Sequence, residues 1–277
     1  MSCFRRAFRS KLWRGTLLLL GAVLITDFIK SLWSGSNRHQ NSSVSIPTPT
    51  PSDKALFLND VAFTIRDVWT LLETNNGNYA AVCALDFSKP PNFYDTFALR
   101  DIEGHEHLMM TYSYFRSHES RSAMVSHRPV PVQSCWNGMV SFDSSPFYAA
   151  SPLRFRGIAD PLATRHLEGS ECCLIHGDNP QSESKGVWLN PGVRVGYDPE
   201  AYAAVHTMDP WPSLRDRIIC IWRNRVRRWV ITVWVKEWLV RNRLNKWTKE
   251  DRNRHEPGIY CLINETQVLV HNGWAHV

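Results

Sequence analysis

The sequence lacks two features that would place it in a common class at once: cysteine pairs with the spacing of metal ligands, and a long apolar run. Its seven cysteines in 277 residues do not form a dense framework. The adjacent pair Cys172-Cys173 lacks the two-residue gap of a zinc knuckle or a redox dithiol, so no zinc site is predicted. We expect these two cysteines to face a core, with at most one or two disulfides elsewhere, which suits an oxidising compartment.

Basic residues are numerous but unevenly placed, so the net charge of +6 does not indicate nucleic-acid binding. Residues 1–50 hold seven Lys and Arg against one acid, and residues 211–255 hold thirteen against four. Residues 51–210 hold twelve bases and nineteen acids. The body is therefore acidic and only its two ends are basic. We expect one domain with appendages and no nucleic-acid partner.

The N-terminal segment resembles a membrane signal. Five basic residues and an apolar stretch at 16–29 favour a cytosolic N-terminus and a luminal body. Fourteen apolar residues are short of the ~20 of a spanning helix and suit a cleaved signal peptide. Because no clear cleavage site follows, we favour an uncleaved type II anchor within residues 1–33. Counted from 12 to 33, with Arg14 and Lys30 reaching the interfaces, it approaches the length of a span.

The next segment, 34–52, is rich in Pro, Ser and Thr and is predicted to be an extended stem. A glycosyltransferase-like domain is predicted over 53–210, and a basic, Trp-rich region over 211–277. Two glycosylation sequons, at Asn41 and Asn264, agree with a luminal body.

Short apolar runs that end in a carboxylate occur at 55–60 and 84–87. They predict buried strands of a mostly parallel α/β sheet, joined by a helix at 67–73 in a βαβ unit. Ligands bind at the carboxyl ends of such strands, so Asp60 and Asp86 are candidates for binding a metal or a sugar. The alternative is that each acid simply ends a strand or caps a helix.

Four polar side chains lie close together in the segment 167–178: Glu168, Glu171, His176 and Asp178. A helix is predicted over 166–175, with its acids near the N-terminus. Asn137-Gly138 predicts a tight turn between two apolar runs, and 187–195 predicts a strand with a turn at its Asn-Pro-Gly. Trp136 is interpreted as a core residue rather than a ligand platform.

An apolar stripe at helical spacing marks the basic segment 211–255 and consists of Ile218, Trp222, Val226, Trp229 and Val233. It predicts a helix too short to cross a membrane, although 229–235 would also suit a strand. Either the tryptophan face packs on the acidic body, or the helix lies on a membrane surface with its arginines at anionic headgroups.

Eight segments in order resemble the fungal α-1,3-mannosyltransferase family, that of the cryptococcal mannosyltransferase and the capsule-associated proteins. They are F-L-N-D-V (57–61), C-A-L-D-F (83–87), F-Y-D-T-F-A-L-R-D (93–101), Y-F-R-S-H-E-S-R (114–121), V-P-V-Q-S-C-W-N-G-M-V-S-F-D (130–143), F-R-G-I (155–158), H-L-E-G-S-E-C-C-L-I-H (166–176) and L-N-P-G-V-R-V-G-Y-D (189–198). The resemblance covers roughly residues 53–200, and a weaker similarity is present at 257–261.

The resemblance implies a Rossmann-like nucleotide-sugar transferase in the Golgi membrane. Such an enzyme transfers mannose from GDP-mannose to a mannoside acceptor, in α-1,3 linkage and with retention, using a divalent cation such as Mn²⁺. It implies that Asn59 and Asp60 hold the metal. Asp86, Asn137 and Gly138 would line the donor sugar, and Glu168 and Glu171 would be the catalytic carboxylates. His176 would be either a further metal ligand or a core residue.

One departure from the family pattern matters. Family members place a long segment between the stem and the F-L-N-D strand, whereas here the stem runs almost directly into residue 53. Part of the donor-binding subdomain is therefore expected to be absent, leaving an unpaired sheet edge and exposed apolar surface. The alternative function is an inactive, membrane-anchored subunit that binds a full-length relative or a glycan.

Overall fold

A seven-stranded sheet organises the computed structural model, which describes residues 54–106, 111–207, 212–230, 233–251, 254–264, 267–270 and 273–276. The strands run in the order β1-β6-β2-β8-β5-β4, and β3 pairs with β2. Their bounds are β1 Lys54–Leu58, β2 Ala81–Lys89, β3 Asn92–Phe93, β4 Arg100–Asp101, β5 Val130–Ser134, β6 Met139–Asp143 and β8 Val187–Gly196. Smaller pairs are β7 Glu168–Gly169 with β9 Leu262–Ile263, and β10 Gln267–Val270 with β11 Gly273–His276.

The sheet is mixed, and the prediction of a mostly parallel sheet is wrong. In the described part, β2 and β8 pair in parallel, and the other pairs of this sheet are antiparallel. β1 and β2 point the same way but are separated by β6, so they do not form an adjacent βαβ pair. The apolar run of β2 correctly indicated burial on both faces, but burial alone does not set strand direction. The same prediction of burial is wrong for β1, an edge strand in which Leu56 and Leu58 are exposed.

Helices cover both faces of this sheet. Along β2, Cys83, Leu85 and Phe87 belong to one apolar cluster, while Val82 and Ala84 belong to another. The helices are α1 Ile65–Leu72, α2 His118–Val125, α3 Asp160–Ala163, α4 Glu171–Asp178, α5 Ser182–Lys185, α6 Pro199–His206, α7 Leu214–Val230 and α8 Val233–Glu250. Leu71 of α1 packs on the second cluster, and Ile175 of α4 and Cys220 of α7 pack on the first. The mixed α/β class is confirmed.

Local sequence determines several element ends correctly. Thr64 and Asp67 form a capping box that starts α1, and a 3₁₀ turn at Thr74–Gly77 holds Asn75 and Asn76 at positive φ. Two other predictions need correction. α4 begins only at Glu171, because Glu168-Gly169 is a strand. The Asn-Pro-Gly at 190–192 is a bulge inside β8, where the register shifts so that Cys83 faces Leu189 and Leu85 faces Arg194.

Two disulfides hold distant parts of the fold together: Cys83–Cys135 and Cys173–Cys261. The number agrees with the sequence prediction, but Cys173 is itself bonded and only Cys172 stays free at that position. Cys173 faces the core as expected, where it can meet a cysteine 88 residues away in sequence.

The C-terminal region forms helices, as predicted, and the alternative of a strand at 229–235 is wrong where the structure describes it. The segment 259–263 then returns to the body through β9 and the 3₁₀ turn Ile259–Cys261. No helix within the described ranges is long and apolar enough to cross a membrane. The predicted anchor and stem, 1–52, lie outside those ranges.

Candidate functional site

Polar residues from four strands meet at one edge of the large sheet. β1, β2 and β8 point the same way, so their carboxyl ends lie at this edge, and β6, which is antiparallel, begins there. Asn59 and Asp60 follow β1, Asn137 and Gly138 precede β6, and Asp86 lies in the last half of β2. The structure thus brings together the residues predicted for the metal and the sugar.

Asp86 is the centre of the polar network and is fully buried. Its Oδ1 accepts hydrogen bonds from the backbone N of Asp95 at 3.2 Å and from Asn137 Nδ2 at 3.4 Å. Its Oδ2 accepts the hydroxyl of Tyr197 at 3.1 Å. Burial, and next the charge of Asp95, raise the pKa of Asp86 to about 7. A carboxyl group with such a pKa is poised between its neutral and charged forms near neutral pH.

The Asn137-Gly138 turn has a left-handed backbone that packs closely against its neighbours in the site. Both residues have positive φ, 57° and 72°, and the carbonyl oxygen of Gly138 accepts a hydrogen bond from the backbone N of Asn59 at 2.9 Å. A Cβ on Gly138 would lie 2.7 Å from Val61 Cγ1 and 3.4 Å from Asp86 Cβ. The predicted turn is confirmed, although the strands around it pair with other strands and form no hairpin. Asn137 Oδ1 is buried and accepts no hydrogen bond from any described residue.

Three aromatic side chains pack together beside Asn59. Trp136 donates from Nε1 to Asn59 Oδ1 at 3.4 Å, and its ring lies 5.7 Å from those of Phe57 and Phe155. Trp136 is half-buried, so it packs on the core and also faces the site. Trp136 is therefore a core residue, as predicted, and also part of the surface of the candidate site.

The two predicted catalytic carboxylates lie on neighbouring elements rather than within the network. Glu171 is exposed at the first position of α4, and Glu168 is half-buried on β7 opposite Ile263. Burial raises the pKa of the Cys172 thiol to about 12, and the charges of Glu171 and then Asp95 add to this effect. Glu168 on β7 and Glu171 on α4 therefore lie outside the hydrogen-bonded network of Asp86.

Apart from β8 and Tyr197, this geometry lies within a segment that matches a known protein family. The family described as cryptococcal mannosyltransferase 1 matches residues 36–178, just over half of the chain. This chain belongs to that family. Its function is therefore mannosyltransferase-like. Comparison with curated proteins and with solved structures gives no match.

Two residues of this mannosyltransferase-family site were not predicted from sequence. Asp95 accepts the backbone N of Asn137 at 3.2 Å, and its other oxygen accepts those of Phe97 and Ala98. Tyr197 follows the carboxyl end of β8, and its ring contacts that of Tyr94 with the centroids 4.3 Å apart. Burial and the charge of Asp86 raise its pKa. The rule that selected Asp60 and Asp86 looked for carboxylates and so passed over Tyr197. A search for any polar side chain directly after a strand would have found it, since Tyr197 follows β8.

Two residues of the segment 167–178 are structural. His176 is fully buried, stacks on Phe142 at 5.2 Å, and hydrogen-bonds through Nε2 to the carbonyl of Cys135 at 2.7 Å. Burial lowers its pKa to about 4, so it is a neutral core residue, as the second interpretation had it. Asp178 binds Arg156, together with Glu256. Neither belongs to the site.

The donor set suits a hard divalent cation whose remaining ligands come from a substrate. In the described ranges, no group of three or more His, Cys, Asp and Glu side chains could hold a metal ion. Asn59 and Asp60 are exposed and offer an amide and a carboxylate oxygen. Mg²⁺-like cations are commonly bound by one or two carboxylates plus substrate phosphates, so this sparse set fits.

The remaining predicted site residues concern glycosylation. Asn41 lies outside the described residues. Asn264 follows β9, is half-buried, and lines a cavity of about 350 Å³ between the segment 100–106, α8 and the segment 259–264. That cavity contains none of the predicted catalytic, sugar or metal residues.

Proposed function

We propose that this chain transfers mannose from GDP-mannose to a mannoside acceptor, forming an α-1,3 linkage with retention of the anomeric configuration. The observation that carries the proposal is the meeting of Asn59, Asp60, Asp86 and the Asn137-Gly138 turn at one sheet edge, inside the family-matched segment. Open α/β sheets bind nucleotide ligands at such edges.

The donor diphosphate is proposed to bind at the end of β1, with Mn²⁺ held by Asn59 and Asp60. A divalent cation there neutralises the charge that develops on the leaving diphosphate. Asn59 is fixed for this task, because its backbone N is bound by Gly138 and its amide oxygen by Trp136. Asp60 adds the negative charge that a hard cation prefers.

The mannose ring is proposed to lie against Trp136 and the Asn137-Gly138 turn. The turn would line the sugar pocket. Glycine is required at position 138 because its φ is positive and a Cβ there would meet Val61. Asp86 and Asp95 hold this turn through their hydrogen bonds to Asn137. Glu171 would act as base for the acceptor hydroxyl or stabilise the cationic transition state, and Glu168 would support it.

Calorimetric titration of GDP-mannose into the purified full chain tests this proposal, with and without Mn²⁺. Binding is expected with Mn²⁺ and is expected to be lost in Asp60→Ala. The matched control is Glu183→Ala, which removes an equally exposed carboxylate from α5. Metal-independent binding, or binding that Asp60→Ala leaves intact, would rule out the proposed metal role.

A second measurement separates binding from transfer. Glu171→Gln is expected to bind GDP-mannose as the unchanged chain does and to lose transfer to a mannoside acceptor. Equal transfer rates for the two proteins would show that Glu171 is not the catalytic carboxylate.

The alternative proposal is an inactive subunit that binds a full-length relative, and one observation favours it. In the described part of the sheet, β1 is an edge strand paired with β6 alone, and Leu56 and Leu58 are 37% and 45% exposed. Phe63, Ile65 and Trp69 nearby in sequence are also exposed. Exposed apolar edges of this kind are surfaces to which another strand can pair.

Co-purification distinguishes this alternative. The full chain should then recover a full-length family member, and Leu56→Lys should reduce that recovery, whereas Tyr148→Lys, at an exposed aromatic elsewhere, should not. Recovery as a lone monomer that binds GDP-mannose would exclude the alternative.

A Golgi location as a single-pass type II membrane protein is also proposed. The two disulfides support an oxidising compartment. Loss of glycosidase-sensitive mass in Asn41→Gln or Asn264→Gln would confirm luminal exposure of the body, and the absence of any such mass from the full chain would count against it.

A further inference from the structure

One face of α7 is apolar and exposed. Ile219, Trp222 and Val226 are 42%, 43% and 51% exposed. Their spacing of three and four residues places them side by side on the helix surface. Large apolar side chains that are exposed in a contiguous row usually mark a binding surface.

The opposite face of the same helix is firmly held. Cys220 is buried in the main core, and Asn224 is buried against the segment 111–112. Asn224 accepts the hydroxyl of Thr111 at 2.5 Å and donates to the carbonyls of Thr111 and Tyr112 at 3.1 and 3.0 Å. Of the two alternatives that the sequence left open, packing of the tryptophan face on the body is therefore wrong at Trp222. The exposed face cannot turn inward without breaking these three hydrogen bonds.

Positive charge flanks the exposed row. Arg215 lies one turn before Ile219, Arg223 lies one turn after it, and both are exposed. The acid of the first turn, Asp216, is engaged by the hydroxyl of Ser213 at 2.6 Å. The segment 211–255 as a whole holds thirteen bases and four acids.

These charges decide between the partners that such a face could meet. A second copy that paired through the same face would bring arginines against arginines, which is unfavourable. A surface of anionic headgroups offers opposite charge at the rim and an apolar layer beneath for the tryptophan and the aliphatic side chains.

We propose that this face of α7, formed by Arg215, Ile219, Trp222, Arg223 and Val226, docks on a membrane surface that carries anionic lipids. Trp222 enters the headgroup boundary, Ile219 and Val226 enter the acyl layer beside it, and the two arginines bind phosphate or carboxylate oxygens of the headgroups. The docking orients the body on the bilayer and is independent of the proposed transfer reaction.

The test measures the depth of one position in full chains reconstituted into nanodiscs. A nitroxide is attached at Val226→Cys in a Cys3→Ser, Cys172→Ser background, and its accessibility to oxygen and to a water-soluble nickel complex is read by electron paramagnetic resonance. Nanodiscs of phosphatidylcholine alone are compared with nanodiscs that also contain phosphatidylserine. A label at Ser184→Cys, exposed on α5, reports an undocked surface position.

With phosphatidylserine present, the label at 226 is expected to shift from nickel-accessible to oxygen-accessible, and the label at 184 is not. The double variant Arg215→Glu, Arg223→Glu is expected to lose this shift. Arg128→Glu, Arg154→Glu makes the same charge change at exposed positions of the body and is expected to keep it.

Two outcomes would overturn the proposal. A label at 226 that remains as nickel-accessible as the label at 184 in both lipid compositions would mean that the face does not meet the membrane. Dipolar broadening between labels at 226, in either composition, would mean that a second copy covers it instead.

Discussion

Asp86 has a property that can be measured apart from any reaction. Its pKa is raised from 3.8 to about 7, first by burial and then by the charge of Asp95. Between these two values the folded chain keeps a proton that the unfolded chain has lost. Stability therefore falls as the pH rises through this window, by up to about 1.4 kcal/mol per pH unit, and the full loss is present above the folded pKa.

We predict that Asp86→Asn removes this dependence. The free energy of unfolding of the variant, relative to that of the unchanged chain, should rise between about pH 4.5 and about pH 7.5, because only the unchanged chain must bury a charge there. Urea unfolding at the two pH values measures it. Asp160→Asn, at an exposed acid of α3, serves as the control. Parallel pH profiles of the unchanged chain and Asp86→Asn would contradict the prediction.

Gly138 is the second residue with a measurable requirement. Gly138→Ala places a Cβ 2.7 Å from Val61 Cγ1 in a backbone of φ 72°, so we predict a loss of about 2 kcal/mol of stability. Chemical denaturation measures this loss. Gly157→Ala is the matched control, because its Cβ would meet no atom within 4 Å and its backbone is not left-handed. A loss in both variants alike would show that the turn is not the cause.

At the scale of elements, one ion-pair cluster joins three segments. Arg156 binds both carboxylate oxygens of Asp178, at the end of α4, and both of Glu256, at 2.5 to 3.0 Å. Asp178 and Glu256 together raise the pKa of Arg156. The side chain of Glu256 is only 4% exposed, so it depends on this cation.

We predict that Arg156→Met destabilises the fold by about 2 kcal/mol. This is less than the ~3–5 kcal/mol of a fully buried pair, because Arg156 is itself one-third exposed. Arg165→Met is the control, since its partner Glu250 is exposed, and its effect on the urea midpoint should be clearly smaller. Equal effects would show that burial of Glu256 does not set the cost.

Elements also show where sequence reasoning succeeds. The strand predicted at 55–60, the helix after it, the Asn137-Gly138 turn and the C-terminal helices follow from local patterns, because turns and periodicity depend on neighbouring residues. Strand direction, the bulge in β8 and the partner of Cys173 depend on contacts between distant segments, which those patterns do not contain.

At the scale of the whole molecule, the candidate site was predictable for residues that lie at strand ends, because ligands bind at the carboxyl ends of strands. Asp60, Asp86 and Asn137-Gly138 follow from strand ends and a turn, and they do lie at one edge. Asp95 was not predicted because it reaches the network from a loop. For Trp222 the sequence left two alternatives open, packing on the body or contact with a membrane surface, since an apolar stripe does not show which side of a helix meets the core.

The segment 256–263 also sets the order in which this protein can be made. It supplies the carbonyl oxygens that hold the buried Arg100, the sulfur that pairs with Cys173, and the carboxylate that Arg156 binds. The ribosome delivers all three after most of the domain has already emerged. Until that segment emerges, Cys173 of the nascent chain has no disulfide partner, and the Arg100 side chain has only the carbonyls of Phe97 and Leu99. We expect a chain that ends before residue 256 to stay bound to chaperones rather than to fold as a smaller functional domain.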